Sequence, residues 1–261
     1  MLRIDDLDVQ RCVPGATDTI LEQLEAHGLH WDETPRYQSQ HVADYAETLQ
    51  ALSRKATVYA CSCTRADLRR RAVTGLDGPI YDGHCRELQR PRAHAALRLS
   101  LPAGVIALTD ARLAHEAFDL QRDLGDFVLL RSDGVIGYPL ASIVDEQRQQ
   151  ITEVVRGHDL LASSLRQVWL MRCLGWRQPS YLHLPVIGSA DGRKLSKQNH
   201  AAAIDARHAA DNLFRCLQWL GQRPPQALRG DTVSAVLEWA IASWEPACIP
   251  LLKRLPVEGA A

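Results

Sequence analysis

Apolar residues recur at near-helical spacing in two stretches close to the start of the chain. Ile20, Leu21, Leu24 and Ala26 fall within residues 17–27, with Gly28 as a stop. Val42, Tyr45, Leu49 and Leu52 share one face of residues 39–55, with Ser39 as the N-cap. Ahead of both, Leu2, Arg3 and Ile4 read as the end of a strand that runs into Asp5, Asp6 and Asp8. From Thr57 the period shortens. Residues 57–61, 96–99, 105–108 and 127–130 have strand composition, 64–72 is helical, and 75–83 and 132–134 are turn-rich. After Gly137, residues 140–144 and 151–155 are short, almost continuous apolar runs, the first closed by Asp145 and Glu146, the second by Arg156 and Gly157. Runs apolar on both faces predict strands of a parallel sheet covered by helices, and residues 158–174 supply one such helix. Residues 181–187 form the next strand, and beyond Asp205 the pattern is helical to the end, over 209–220 and 232–243. The class predicted is α/β.

Composition narrows the function classes. The 261 residues carry 30 Lys and Arg against 31 Asp and Glu, a net charge of -1, and 46% are hydrophobic. That excludes a disordered or strongly basic chain, so any nucleic-acid footprint must be a local patch. No apolar run is long enough for a membrane span, and the first residues lack the apolar core of a signal peptide. Seven cysteines, an odd and thinly spread number, point to reduced thiols in a cytoplasm, in metal or core roles.

Four constellations could carry chemistry. Cys61 and Cys63, one residue apart, can chelate a single borderline cation, and Cys85 can close the site after a turn. Coordination chemistry nominates His84 as the fourth donor of a structural zinc; the bland alternative is three buried thiols. Lys194 and Lys197 flank Ser196 on a loop after a strand, where two ammonium groups suit a leaving pyrophosphate, although such quartets also occur on solvated loops. Asp5, Asp6, Tyr138, Asp145 and the segment from Arg156 to Asp159 fall at predicted strand ends. There an Arg could grip an α-carboxylate and an Asp the ammonium of an amino acid, or the set could be a salt-bridge network. Arg65, Arg69, Arg70, Arg71, Arg86, Arg90 and Arg92 form a local basic patch that could touch RNA phosphates or be a solvated face.

Taken in order, Arg3-Ile4-Asp5-Asp6-Leu7-Asp8, Cys61-Ser62-Cys63, Ile80-Tyr81-Asp82-Gly83-His84-Cys85, Val154-Val155-Arg156-Gly157-His158-Asp159-Leu160, Tyr181-Leu182-His183-Leu184-Pro185 and Lys194-Leu195-Ser196-Lys197-Gln198 are far more specific than apart. This order resembles the glutamyl-tRNA synthetase-like class I aminoacyl-tRNA synthetase family, in its short branch that acts on queuosine in tRNA(Asp). The resemblance implies a Rossmann-like catalytic domain in two parts, residues 1–56 and 133–200, interrupted at 57–132 by a zinc-binding insertion. A short helical region, 201–261, follows. It implies a monomeric, cytoplasmic ligase that activates L-glutamate with ATP and Mg2+ without tRNA, then transfers it to queuosine in the anticodon of tRNA(Asp). Lys194, Ser196 and Lys197 would hold the ATP phosphates, with both lysines catalytic, and Asp5, Tyr138 and Arg156 would bind glutamate. The zinc ligands would be Cys61, Cys63, Tyr81 and Cys85, so the resemblance prefers the Tyr81 phenolate to His84.

Two departures bear on this. Asp5 stands where the family motif has Glu, one methylene longer. The family's first strand, its His-Ile-Gly-His-type signature and the helix after it would precede Met1, leaving the nucleotide cleft without one wall. The expectation is an N-terminally truncated reading of an active enzyme; the alternative is an impaired, zinc-stabilised RNA-binding remnant.

Overall fold

A glycine that cannot be anything else opens the helix on which the candidate site is built. A Cβ on Gly137 would lie 2.5 Å from the Val128 carbonyl oxygen, so the backbone passes too close for a side chain. The computed structural model of the chain describes residues 1–71, 73–88, 90–113, 116–188 and 203–256. In chain order these begin with β1 (Arg3–Ile4), α1 (Ala16–Ala26), β2 (Arg36–Tyr37), α2 (Val42–Lys55), β3 (Val58–Cys61) and α3 (Arg65–Arg71). The short strands β4 (Thr74–Gly75) and β5 (Gly78–Pro79) precede β6 (Ala96–Leu99), β7 (Val105–Leu108), β8 (Glu116–Asp119) and β9 (Phe127–Leu130). Then come α4 (Tyr138–Arg148), β10 (Glu153–Gly157), α5 (Leu161–Leu174), β11 (Ser180–Leu184) and β12 (Val186–Gly188). The last elements are α6 (Ala209–Trp219), α7 (Val233–Ser243) and β13 (Arg254–Pro256). No described helix is long and apolar enough to cross a membrane.

The chain divides into two units. One comprises Asp5–Asp8 and Tyr37–His183. Its main sheet is antiparallel, in the order β3-β6-β9, with Val58 opposite Leu99 and Leu99 opposite Phe127. Leu97, Leu99, Leu129 and Phe127 from this sheet join Tyr45, Leu49 and Leu52 of α2 and Leu140, Ile143, Leu165 and Leu170 of α4 and α5 in one core. A hairpin, β7 with β8, adds Ile106 and Phe118, and β10 pairs with β11. The helices are clamped by a buried carboxylate: Asp145 accepts from Gln38 Nε2 at 2.8 Å and from the Tyr45 hydroxyl at 3.1 Å.

A second buried carboxylate pins the sheet. Asp126, 3% exposed, accepts from the Tyr59 hydroxyl at 2.5 Å, both ends of the Arg86 fork at 2.7 Å, and the Leu101 N–H at 2.8 Å. Burial, with the bond to Asp126, pushes the Tyr59 phenol far above its usual range, so it stays a donor. Removing the acceptor would strand the Arg86 charge and two other donors. Asp126→Ala is therefore expected to destabilise the fold by about 3–5 kcal/mol, read as a lower urea midpoint. A change within a few tenths of a kcal/mol would show that the carboxylate is not a structural hub.

The other unit comprises the described residues of Met1–Ile4, Val9–Arg36 and Leu184–Ala261. Here α6 packs on α7, and the side chain of Asn212 on α6 meets Nε2 of His27 at 3.1 Å. Thr232 caps α7 by accepting from the Ala235 N–H at 3.2 Å. β12 and β13 run parallel, Val186 opposite Arg254 and Gly188 opposite Pro256.

Three sequence expectations are corrected. Residues 140–144 are not a strand but the interior of α4, whose run from Leu140 to Glu146 is buried on every side. A helix without a solvent face shows no 3.6-residue stripe, so it reads like a doubly covered strand; the signal that decides is Gly137 before the helix and Pro139 in its first turn. Ser39 is not the cap of α2: its N–H and hydroxyl both donate to Asp6, at 2.8 and 2.6 Å, and the helix starts after a 3-10 turn at Gln38–His41. The chain is not helical to the end, because β13 returns to β12.

Candidate functional site

The tight backbone between β3 and β6 carries the first cluster. Cys61 ends β3, Cys63 follows two residues later, and Tyr81 and Cys85 come from the turn-rich stretch after β5. The three sulfurs lie within 4.8 Å of one another, with Cys63 and Cys85 at 3.6 Å. The Tyr81 oxygen sits 3.3 Å from the Cys61 sulfur and 3.5 Å from that of Cys63, and it accepts the Cys85 N–H at 2.9 Å. A tetrahedron built on Zn–S bonds of about 2.3 Å and a Zn–O bond of about 2.1 Å has S–S edges of about 3.8 Å and S–O edges of about 3.6 Å. Three of the donor separations, Cys63 to Cys85 at 3.6 Å and Tyr81 to Cys61 and Cys63 at 3.3 and 3.5 Å, are close to those edges, and all three sulfurs lie within 4.8 Å of one another. His84 is exposed, and its N–H folds back on Asp82 at 3.2 Å; its ring is outside the cluster.

Charge around the cluster favours anionic donors. Arg71 donates to the Cys63 sulfur at 3.1 Å and pairs with Asp82, while the buried Arg98 guanidinium stacks 4.1 Å over the Tyr81 ring. Burial pushes the Cys63 thiol and the Tyr81 phenol up. Burial raises Cys85 too, but hydrogen bonds led by Tyr81 outweigh it and bring the thiol down to about 7. The predicted basic patch is thus partly spent inside the module: Arg71 here, Arg86 on Asp126, and Arg70 on Asp67 at 2.7 Å.

The second cluster surrounds Arg156, near the end of β10. Its guanidinium is 9% exposed and donates to Gln167 at 2.6 Å, Glu146 at 3.1 Å and Ser164 at 3.4 Å. Glu146 is steadied by the Ser142 hydroxyl at 2.8 Å, one helical turn back on α4. Tyr181 lies beneath, its ring 5.9 Å from the guanidinium carbon. Its hydroxyl is buried with no hydrogen-bond partner among the described residues, and burial, then the Glu146 charge, raises its pKa. Tyr138 is exposed, as the first residue of α4. Asp5 is an exposed residue of the segment after β1. Lys194, Ser196 and Lys197 lie outside the described residues. Asp145, read as a strand-end ligand, is instead the buried clamp of α2 on α4.

Sequence reasoning missed the partners of Arg156. Glu146, Ser164, Gln167, His183 and Asp110 are buried polar residues that touch it directly or through one another. Only His183 had a signal, its place in the Tyr181–Pro185 piece; the others sit among apolar neighbours on helices or in a loop.

Comparison with known proteins now places the chain. The family model for tRNA synthetases class I (E and Q), catalytic domain, matches residues 1–220. The glutamyl-Q tRNA(Asp) synthetase of Klebsiella pneumoniae (strain 342) is 43% identical over 261 residues, covering 98% of this chain and 86% of that protein. The protein of the same name from Dechloromonas aromatica (strain RCB) is 43% identical over 253 residues, covering 96% and 84%. Among solved structures, a glutamate tRNA ligase from Elizabethkingia meningosepticum CCUG26117, in complex with its amino acid, superposes with a TM-score of 0.73 at 21% identity, covering 96% of this chain and 59% of that one. Glutamate-tRNA synthetase from Elizabethkingia anophelis gives 0.74 at 22%, covering 97% and 60%. The chain thus spans about three-fifths of these two structures, which share its mixed α/β fold. On the matched span and the identity to nearly full-length relatives, the chain belongs to the class I (E and Q) tRNA synthetases.

Proposed function

We propose that this ligase condenses L-glutamate with ATP to glutamyl-adenylate and pyrophosphate, then passes the glutamyl group to queuosine in the anticodon of tRNA(Asp), releasing AMP. The names of relatives at 41–43% identity support this reading. The observation that carries it is the Arg156 cluster: a nearly buried guanidinium with three acceptors on its protein side, beside a buried tyrosine hydroxyl that has no hydrogen-bond partner among the described residues. Three acceptors leave two of the five N–H donors of an arginine, enough for one carboxylate in bidentate grip. Tyr138 would complete the amino-acid site and Asp5 would take the ammonium. Lys194, Ser196 and Lys197 would hold the triphosphate, the lysines following charge onto the departing pyrophosphate.

Cys61, Cys63, Tyr81 and Cys85 would hold a structural zinc within an insertion spanning 57–132. The ion would staple the turn-rich segment around a small buried cluster, Tyr59, Cys61, Tyr81 and Cys85, that is separate from the main core to which β6, β7 and β9 belong. The catalytic domain would be residues 1–56 and 133–200, with 201–261 as a helical appendage.

The test is glutamate-dependent exchange of labelled pyrophosphate into ATP. Exchange is expected with L-glutamate, without added tRNA, and at least about tenfold less with L-aspartate, whose shorter chain cannot reach both ends of the site. No exchange with any amino acid, from protein that melts cooperatively and holds zinc, would overturn the reading.

A further inference from the structure

The polar chain behind Arg156 runs deeper than contact with an amino acid requires. At its far end Asp110, 1% exposed, accepts from the N–H groups of Arg112 and Leu113 on one oxygen, both at 2.8 Å. Its other oxygen faces the His183 N–H at 2.9 Å and the His183 Nδ1 at 2.6 Å. An ionised carboxylate only accepts, so Nδ1 carries the proton. Burial holds His183 below its ordinary pKa, so the imidazole is neutral and Nε2 is left as an acceptor. The Ser164 hydroxyl lies 2.8 Å from that nitrogen and must donate to it. A hydroxyl has one hydrogen, so what Ser164 presents to Arg156, at 3.4 Å, is a lone pair. The Leu160 carbonyl, 3.2 Å from Ser164, is thereby denied the proton it would otherwise receive. His183 also stacks on the Tyr181 ring, 5.9 Å between centroids and 11° between planes, and so props the aromatic floor beneath the guanidinium.

We propose that Asp110, His183 and Ser164 form a positioning relay that turns Arg156 toward the carboxylate of the bound amino acid. The arrangement has the bonding order of a hydrolytic triad, but Ser164 and His183 are fully buried, so no acyl group can reach the hydroxyl. The relay acts through polarity instead. Nδ1 is locked as a donor, the serine is locked as an acceptor, and with Gln167 it takes both hydrogens of Nη1, so that with Glu146 on Nη2 the Nε hydrogen and the second Nη2 hydrogen are left for the ligand. This inference rests on reading Arg156 as the glutamate ligand.

The test is a double-mutant cycle read by equilibrium dialysis of labelled L-glutamate against the full chain, which needs no turnover. Ser164→Ala is expected to weaken binding about tenfold, the scale of a lost hydrogen bond to a charged group. Arg156→Lys is expected to weaken it more, and Ser164→Ala should add nothing further in the Arg156→Lys background. Ser164→Cys, which keeps a weak acceptor of similar size, should fall between wild type and Ser164→Ala, and serves if the alanine variant does not fold. If Ser164→Ala and Ser164→Cys bind as wild type while Arg156→Lys does not, the relay is wrong and the glutamate site stands. Equal losses from Ser164→Ala in both backgrounds would also overturn the relay, since the serine would then act other than through Arg156. Unchanged binding by Arg156→Lys would overturn the glutamate reading, and the relay with it.

Discussion

Cys85→Ser is expected to bring zinc in the purified chain from about one ion to well under half an ion, and to remove the cooperative melt of the module between β3 and β6. Cys85 is 1% exposed and Cys61 is 2% exposed, so neither can be replaced as a ligand from solvent without the segment opening. Arg71 and Arg98 add to the effect. Without the ion Arg71 would keep Asp82 but lose the Cys63 thiolate, and Arg98 would stack on a neutral phenol. Tyr81→Phe is the sharper variant, because it keeps the ring under Arg98 and deletes only the oxygen. Zinc affinity by chelator competition should fall at least about tenfold, since a three-thiolate site must then complete its shell with water. His84→Ala should bind as wild type. The reverse pattern, a loss with His84→Ala and none with Tyr81→Phe, would mean that the metal-bound module rearranges and that the phenolate is not a ligand.

Arg156→Lys is expected to cut kcat/KM for glutamate in pyrophosphate exchange about a hundredfold, a loss of about 2.7 kcal/mol in transition-state stabilisation, with little change in KM for ATP. A lysine carries the charge but not the fork. It cannot meet Gln167, Ser164 and Glu146 on one side and a carboxylate on the other, as five planar donors can. Arg156→Ala is the poorer probe, because it leaves Glu146, 7% exposed, without its cation and so costs stability as well, about 3–5 kcal/mol. A lysine variant with wild-type kinetics would remove Arg156 from the amino-acid site.

The strands of the main sheet and of the β7–β8 hairpin include the most legible part of the chain. The predicted bounds 96–99, 105–108 and 127–130 coincide with β6, β7 and β9, where alternating or β-branched apolar runs are cut off by turn residues. The elements missed failed for opposite reasons. α4 is buried all round and so hid its period, whereas β8 is a short Glu-Ala-Phe-Asp stretch with too few apolar positions to show one. β13 is three residues whose strand character comes from its partner, β12, not from its own composition. The sites divide the same way. The Cys61, Cys63 and Cys85 grouping was visible because the three lie close in sequence; the residues alone nominated His84 and the resemblance preferred Tyr81, and the backbone turn brings the Tyr81 oxygen to the sulfurs and leaves His84 exposed. The relay behind Arg156 was not visible: Asp110, Ser164 and His183 are separated by tens of residues and each looks ordinary where it stands. Burial is what gives them meaning, because in a dry interior each donor must find an acceptor and the chain of pairings has one solution.

The central claim is that glutamate activated in this site is delivered to queuosine. It is tested most directly by incubating the chain with labelled L-glutamate, ATP and two preparations of tRNA(Asp), one carrying queuosine and one carrying unmodified guanosine, and counting label retained on an anticodon-arm fragment after nuclease digestion. Label should appear on the anticodon fragment of the queuosine-bearing tRNA alone. Label on the acceptor end, or equal label on both preparations, would contradict the account.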